Sequence, residues 1–378
     1  MAGMCPLAYA LLGIASVAAP SEWAAPAPVF VPREAAPAAL RIGPRVETAT
    51  RSAALHAGGT NAAAGDDGLA PARASGSLPV PHVHRGGAGA VDLGAFMRVQ
   101  YEHTTGDPLG RDARGGVLED VLFFAHGRLG DTQIYVESDF ASGEVVLEEA
   151  WGEVSLDGRH WVRIGRVQRQ FLASQAWTDD AVPFLARSYA ALETTVQSEG
   201  VLIGGEYGRL RLFGALQNGA DGALSAWLGT ARAELDLVGS DANTRGDSLG
   251  AGRELAVTAG LAFADDGTAT EGEAFAVDGA VRWEGFGAFF EWVDLGRDVG
   301  DRTPFAAWIT ATLDPDVLEL ALRYEDVDDA ADTTVLGAVL SRWVLPRLMK
   351  VQVGVERVRS DDSDEQGTRY LLGSVFSF

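Results

Sequence analysis

The sequence predicts an all-β fold, a transmembrane antiparallel β-barrel of about sixteen strands preceded by a disordered N-terminal extension. Three observations lead there. Runs of about ten residues alternate apolar and polar side chains, and the connections between those runs alternate between tight and long. The body of the chain also lacks any apolar stretch of about 18 residues, the length a membrane-spanning helix needs. In lipid every backbone N–H and C=O requires an internal partner, and without helices a closed sheet is the remaining way to supply one.

Composition bounds the partners. Of 378 residues, 53 are acidic and 30 basic, a formal charge of −23, which argues against nucleic acid, whose phosphates basic patches must neutralise. The 46 glycines, 9 tryptophans and near-zero mean hydropathy suit strands that are apolar on alternate residues only. The single cysteine, Cys5, falls in a segment expected to be removed on export, so no disulfide framework follows.

Residues 1–19 read as a signal peptide: residues 6–19 form its apolar region, and Ser16 and Ala18 supply small residues for cleavage, although no Lys or Arg precedes them. Residues 20–88 are rich in Ala, Pro and Gly and poor in aromatics, the composition of a disordered linker that buries too little surface to offset ordering entropy. His82 and His84 in this segment are a pair without a third ligand, and no metal site is expected from them.

The barrel is expected over residues 89–378. Its clearest strand is 317–325, where Leu318, Leu320, Leu322 and Tyr324 oppose Glu319, Arg323 and Glu325. The same pattern sets Phe275, Val277, Val281 and Trp283 against Asp278, Arg282 and Glu284, and Met349, Val351, Val353 and Val355 against Lys350, Gln352 and Glu356. Val201, Ile203 and Tyr207 oppose Glu206, and Ala231, Ala233 and Leu235 oppose Arg232 and Glu234. Trp283, Trp292, Tyr324 and Tyr370, near strand ends on the apolar face, read as an interfacial girdle. A soluble sandwich would alternate too, so the connections carry more weight.

Tight ones are expected at 127–130, Asp157-Gly158, Tyr207-Gly208, Glu284-Gly285, Asp314-Pro315 and Leu345-Pro346. Long ones are expected near 102–116, 140–144, 167–196, 218–226, 265–273, 295–303, 327–333 and 358–368. One connection, about 238–253, should be short and is not, which suggests that strand boundaries there are misplaced. The chain ends in an alternating row, Tyr370, Leu372, Ser374, Phe376 and Phe378, that looks like the C-terminal signal read by the barrel-assembly machinery of a Gram-negative outer membrane.

From residue 91 to 378 the chain resembles the phosphate-selective porin O and P family. The resemblance is carried by Trp161-Val162-Arg163-Ile164-Gly165-Arg166, then a long loop containing Phe184-Leu185-Ala186-Arg187-Ser188, then Glu199-Gly200-Val201-Leu202-Ile203-Gly204-Gly205. It implies a homotrimeric sixteen-stranded porin in the outer membrane, lying among lipid and lipopolysaccharide, whose third long loop folds into the lumen and narrows the path for small solutes or ions. The family's phosphate-specific members line their pores with many basic residues. This chain has one lysine, Lys350, so the resemblance implies a porin more than a phosphate channel.

Arg163, Arg166, Arg169 and Arg187 cluster around loop 167–196 and are the candidates for pore constriction and selectivity, with Asp179 and Asp180 as the opposing charge. Because screening acts over about 8 Å at physiological salt, outer-loop carboxylates are muted at the channel centre, and the arginines are expected to tilt selectivity weakly toward anions. The alternative is that they only pair with Asp179, Asp180 and Glu193 to hold the loop on the wall. Tyr370, Leu372, Phe376 and Phe378 are the expected assembly signal.

The run Asp361, Asp362, Asp364, Glu365 resembles part of a calcium loop, but Gln366 and Gly373 stand where ligands should be. Glu148 and Glu149, beside Trp151 and Glu153, could mimic a catalytic carboxylate pair, yet on a strand Glu149 and Glu153 most simply line a lumen. With no H-E-x-x-H and no Walker loop, no catalytic or cofactor site is expected. The alternative to a porin is an outer-membrane β-barrel enzyme or a structural barrel without an open pore.

Overall fold

The computed structural model describes residues 82–86, 89–105, 114–178, 180–219, 227–240, 242–248, 254–266, 272–296, 302–315, 317–328, 333–345, 348–359 and 367–377. The expected signal peptide, nearly all of the expected linker, Asp179, Phe378 and the acidic run 361–366 lie outside the described residues.

Seventeen strands follow one another. The first six are β1 (His82–Gly86), β2 (Gly89–Thr105), β3 (Arg114–Leu129), β4 (Thr132–Asp139), β5 (Val146–Ser155) and β6 (His160–Gln168). After a long connection come β7 (Gln197–Tyr207), β8 (Leu210–Asn218), β9 (Trp227–Val238), β10 (Ala256–Asp266), β11 (Gly272–Trp283) and β12 (Phe286–Leu295). The last five are β13 (Phe305–Asp314), β14 (Leu318–Asp326), β15 (Thr334–Leu345), β16 (Met349–Arg359) and β17 (Gly367–Ser377). Each strand pairs antiparallel with the next, and β17 pairs with β2, so the sixteen strands β2–β17 close on themselves. Closure leaves no unpaired edge, which is what an apolar surround demands. Strand β1, inside the segment expected to be linker, forms a short hairpin with the start of β2.

Strict alternation sorts the side chains. On β14, Leu322 and Tyr324 are exposed on the outer face, while Glu319, Ala321, Arg323 and Glu325 are buried on the inner one. Lys350, Gln352 and Glu356 of β16 likewise point inward while Val353 and Val355 point out. Strands of 9 to 12 residues, rising about 3.3 Å each and tilted roughly 45°, reach some 21–28 Å, the height of an apolar membrane band. Trp283, Tyr324 and Tyr370 lie exposed on the outer face as a girdle requires.

The connections alternate as expected, with small shifts in position. Glu284 and Gly285 are both at positive φ, 46° and 77°, as the two central residues of a type I′ hairpin turn require. Residues 156–159 turn on Asp157, which accepts backbone N–H groups of Arg159 and His160 at 3.0 and 2.8 Å. The backbone N–H of His160 is the largest influence that holds this exposed carboxyl down at about 2.

The doubtful connection is genuinely long. Strands β9 and β10 pair directly, with Leu235 opposite Ala259, so their boundaries are sound. Of this connection the described residues 242–248 lie in the lumen, where Ala242, Asp247 and Ser248 are buried.

Gly165 of β6 shows how local sequence admits the sheet. Its φ of +139° is open to glycine, and a Cβ would lie 2.2 Å from the Ala150 carbonyl of β5. Gly165→Ala is expected to cost about 1–3 kcal/mol of strain. The wild-type barrel should resist SDS at room temperature and shift mobility on boiling, and the variant should shift at a lower temperature. A helical far-UV spectrum would overturn the fold, and an unchanged transition in the variant would overturn the assignment of strain to this residue.

Candidate functional site in the barrel lumen

After β6 the chain turns inward and crosses the lumen through residues 169–196, which hold a 3-10 turn (Ala173–Ala176) and one short helix, α1 (Tyr189–Glu193). Ser188 caps α1 by accepting the Ala191 N–H at 3.1 Å. The segment is held first by apolar contact. Phe171, Leu172, Ala190 and Ala191 pack on Ala262 and Ala264 of β10, Ala274 and Ala276 of β11, and Val293 and Leu295 of β12. Trp177, Val182 and Phe184 pack on Ala280, Phe289, Ala306, Trp308, Ala321 and Val339. The wall there is mostly alanine at inward positions, which leaves depth for the loop. Burying an aromatic removes roughly 150–250 Å² from water, worth about 4–6 kcal/mol at 25 cal/mol per Å² as an upper bound. Phe171, Trp177 and Phe184 are therefore the main anchors.

A buried segment with so little secondary structure must find partners for its carbonyls. Charged wall side chains provide them. Lys350, the chain's only lysine, donates to the carbonyls of Asp180 at 2.9 Å and Val182 at 2.7 Å. Gln352 donates to Pro183, Arg323 to Ala186, and Arg98 to Leu185, at 2.9, 2.8 and 2.8 Å. On the opposite wall Arg232 donates to the Phe171 carbonyl at 2.6 Å while it pairs with Asp278, and Asp278 accepts the Ala173 N–H at 3.1 Å. Glu291 accepts hydroxyls from Ser174 and Ser188, and Glu325 accepts the Tyr189 N–H. Such charge-assisted bonds are shorter and stronger than neutral ones, so they fix the loop's position as well as its presence.

Of the six candidate residues Asp179 lies outside the described residues, and the other five are not brought together as one cluster. Arg163 faces the lumen, pairs with Glu153 at 2.7 Å and lies 4.0 Å over the Trp151 ring. Arg166 is three residues further on, and an odd step along a strand reverses the face. It lies on the outer surface, where it pairs with Glu199 at 3.1 Å and donates to the Glu148 carbonyl. Arg169 donates to the Thr194 carbonyl, closing the neck of the loop. Arg187 is buried and donates to the carbonyls of Ser174 and Trp177, inside its own loop. Asp180 accepts from Thr178 and pairs with Arg245 at 3.4 Å. Of the C-terminal row, Tyr370 and Leu372 are exposed on the outer face.

Both Glu148 and Glu149 are buried because a bulge lies between β4 and β5: Glu137 stands opposite Glu149 and Ser138 opposite Leu147, with Glu148 the extra residue. Glu149 accepts the Trp151 indole N–H at 2.7 Å, and Glu153 also faces the lumen.

Sequence reasoning missed three features. Inward alanines on β10–β14 were a readable signal, since strands apolar on both faces must be covered on both. The role of Lys350 had no signal beyond its being unique. The third is a motif: residues 246–250 read Gly-Asp-Ser-Leu-Gly, a G-x-S-x-G match. Its setting is a strand-to-strand connection, and the Ser248 hydroxyl bonds Glu319 at 2.7 Å and Thr312 at 3.0 Å, with no histidine bonded to it among the described residues.

Two substitutions separate anchoring from charge. Lys350→Met should free the carbonyls of Asp180 and Val182 and raise open-channel current noise, and Arg187→Ala should do the same by loosening the loop from within. Noise in either variant equal to that of the unaltered protein, at equal conductance, would show that these contacts do not hold the loop.

No protein-family model matches the chain, and no curated protein matches it. Solved structures do. An anion-selective porin from Comamonas acidovorans superposes with a TM-score of 0.58 at 11% identity, over 77% of this chain and 100% of that one. OmpT, an outer-membrane protein of Vibrio cholerae, gives 0.53 at 13% identity over 78% and 99%. A mutant porin of Rh. blastica gives 0.53 at 14% identity over 76% and 100%. At such identities the likeness shows the fold, and the chain has the sixteen-stranded barrel of Gram-negative porins.

Proposed function

We propose that the protein is an outer-membrane porin through which small hydrophilic solutes or ions, anions among them, diffuse passively. The observation that carries this reading is the combination of a closed barrel, apolar outside and charged inside, with a third long connection docked across its lumen. A structural barrel has no need of an inward charged wall, and an open wide pore would lack the inward segment. The barrel assembles from a chain whose residues 1–19 are removed as a signal peptide and whose residues 20–88, strand β1 apart, serve as a linker. Its long connections face outward, where acidic clusters share divalent cations with lipopolysaccharide.

The finer reading is membership of the phosphate-selective porin O and P family as a homotrimer. What supports it is the motif resemblance around Arg163, Phe184 and Gly200. Phosphate preference is not part of the proposal, because Lys350 is engaged with loop carbonyls and Arg187 with its own loop.

Purified protein in planar bilayers should open in discrete conductance steps, and liposomes that carry it should swell in small sugars but not in large ones. Silence in both assays would leave a structural barrel or an enzyme in its place. Assembly offers a separate check. Removal of Phe378 should lower the yield of barrel in the outer membrane more than it lowers the thermal stability of the barrels that do form, and normal yield would end the reading of the C-terminal row as an assembly signal.

A further inference from the structure

In the described lumen the third long connection does not stand alone. Residues 242–248 enter from the opposite rim and meet it. Gly246 donates its backbone N–H to the Ala181 carbonyl at 3.1 Å, and the Trp177 indole N–H donates to the Asn243 carbonyl at 2.6 Å. Arg245 links the two segments by charge: it holds Asp247 at 2.7 Å and reaches Asp180 at 3.4 Å. The wall fixes the far side, with Arg211 donating to the Asn243 side chain at 3.0 Å, Trp308 to the Gly246 carbonyl at 3.3 Å, and Ser248 to Glu319 at 2.7 Å. The described part of the β9–β10 connection thus reaches β13 and β14 by way of the lumen.

We infer that residues 242–248 are a second constriction element, supplied from the rim of the tight turns, and that Arg245 within it determines ion selectivity. This rests on the porin reading. Two observations carry it. First, the two segments bond each other and both bond the wall, so together they occupy this sector of the lumen. Second, the members of the charged cluster differ in exposure: the Arg245 side chain keeps 18% of its surface accessible while those of Asp180 and Asp247 keep 2% each, so the cation is the most accessible charge of the three.

The surrounding charge makes the sign predictable. Among the described residues the junction sets Arg245, Lys350 and Arg282 against Asp180, Asp247 and Glu319, so loss of the Arg245 or the Asp247 charge shifts the balance by one unit in opposite directions. Inside a narrow path that charge is screened far less than carboxylates on the outer loops. Arg163, Arg169 and Arg187, by contrast, are taken up by Glu153 or by loop carbonyls.

The test uses the full-length protein in planar bilayers under a potassium chloride gradient. Arg245→Gln should move the reversal potential toward cation preference, by about twofold or more in the permeability ratio. Asp247→Asn should move it the other way, and Arg245→Lys should leave it near the wild-type value. Replacement of residues 239–255 by Asn-Gly should raise single-channel conductance. If the wild type conducts and the first two variants keep its reversal potential, or both shift it in one direction, Arg245 does not set selectivity and the inference falls. Should Arg245→Gln fail to assemble, the Asp247→Asn and Arg245→Lys results decide alone. A wild type without conductance overturns the porin reading instead.

Discussion

Backbone hydrogen bonding in an apolar medium is the constraint on which this structure depends. Each N–H and C=O of a strand in lipid must be paired, and no water is present to take the place of a missing partner. The pairing of β17 with β2 and of β9 with β10 satisfies the last open edges. Once the ring is closed, period-two geometry has one outcome for each side chain, lipid or lumen. Arg163 and Arg166 show the force of this rule: three residues apart, one lies over Trp151 inside the barrel and the other pairs with Glu199 outside it.

Closure then poses a problem of width. Side chains alone fill an eight-stranded barrel but not a sixteen-stranded one, so the inner wall meets either water or another part of the chain. Here two connections enter. The longer lies in a bed of inward alanines on β10–β14, and its own aromatic side chains supply most of the attraction. Its carbonyls are distributed among Lys350, Gln352, Arg323, Arg98 and Arg232, five donors on four strands. Buried charges held this way are weak evidence for stability, since desolvation offsets most of the attraction, but they define one position of the loop.

That division of labour governs where selectivity can reside. A cation bound to backbone carbonyls of its own loop, as Arg187 is, belongs to the scaffold. A cation that bridges two segments and keeps part of its surface open, as Arg245 does, is the one that the proposed porin reading makes available to a passing ion. The chain's overall charge of −23 is carried largely elsewhere and says little about either.

The barrel itself was legible from residue order alone, because alternation and turn chemistry are local and a strand reports its two faces wherever it sits. Leu318, Leu320 and Leu322 against Glu319, Arg323 and Glu325 need no tertiary knowledge, nor does the Glu284-Gly285 turn. The line of the chain at 239–255 was legible as an exception without its meaning. What only the tertiary structure decided is which inward residues meet. Lys350 lies 170 residues from Asp180 in sequence, and Arg245 is 65 residues from the same aspartate. Ring closure and the inward turn of two connections bring them together, and no periodicity encodes such distances. Proximity in the chain therefore grouped Arg163, Arg166, Arg169 and Arg187 as one site, whereas the fold assigned them to an ion pair in the lumen, a pair on the lipid face, the neck of a loop and its interior.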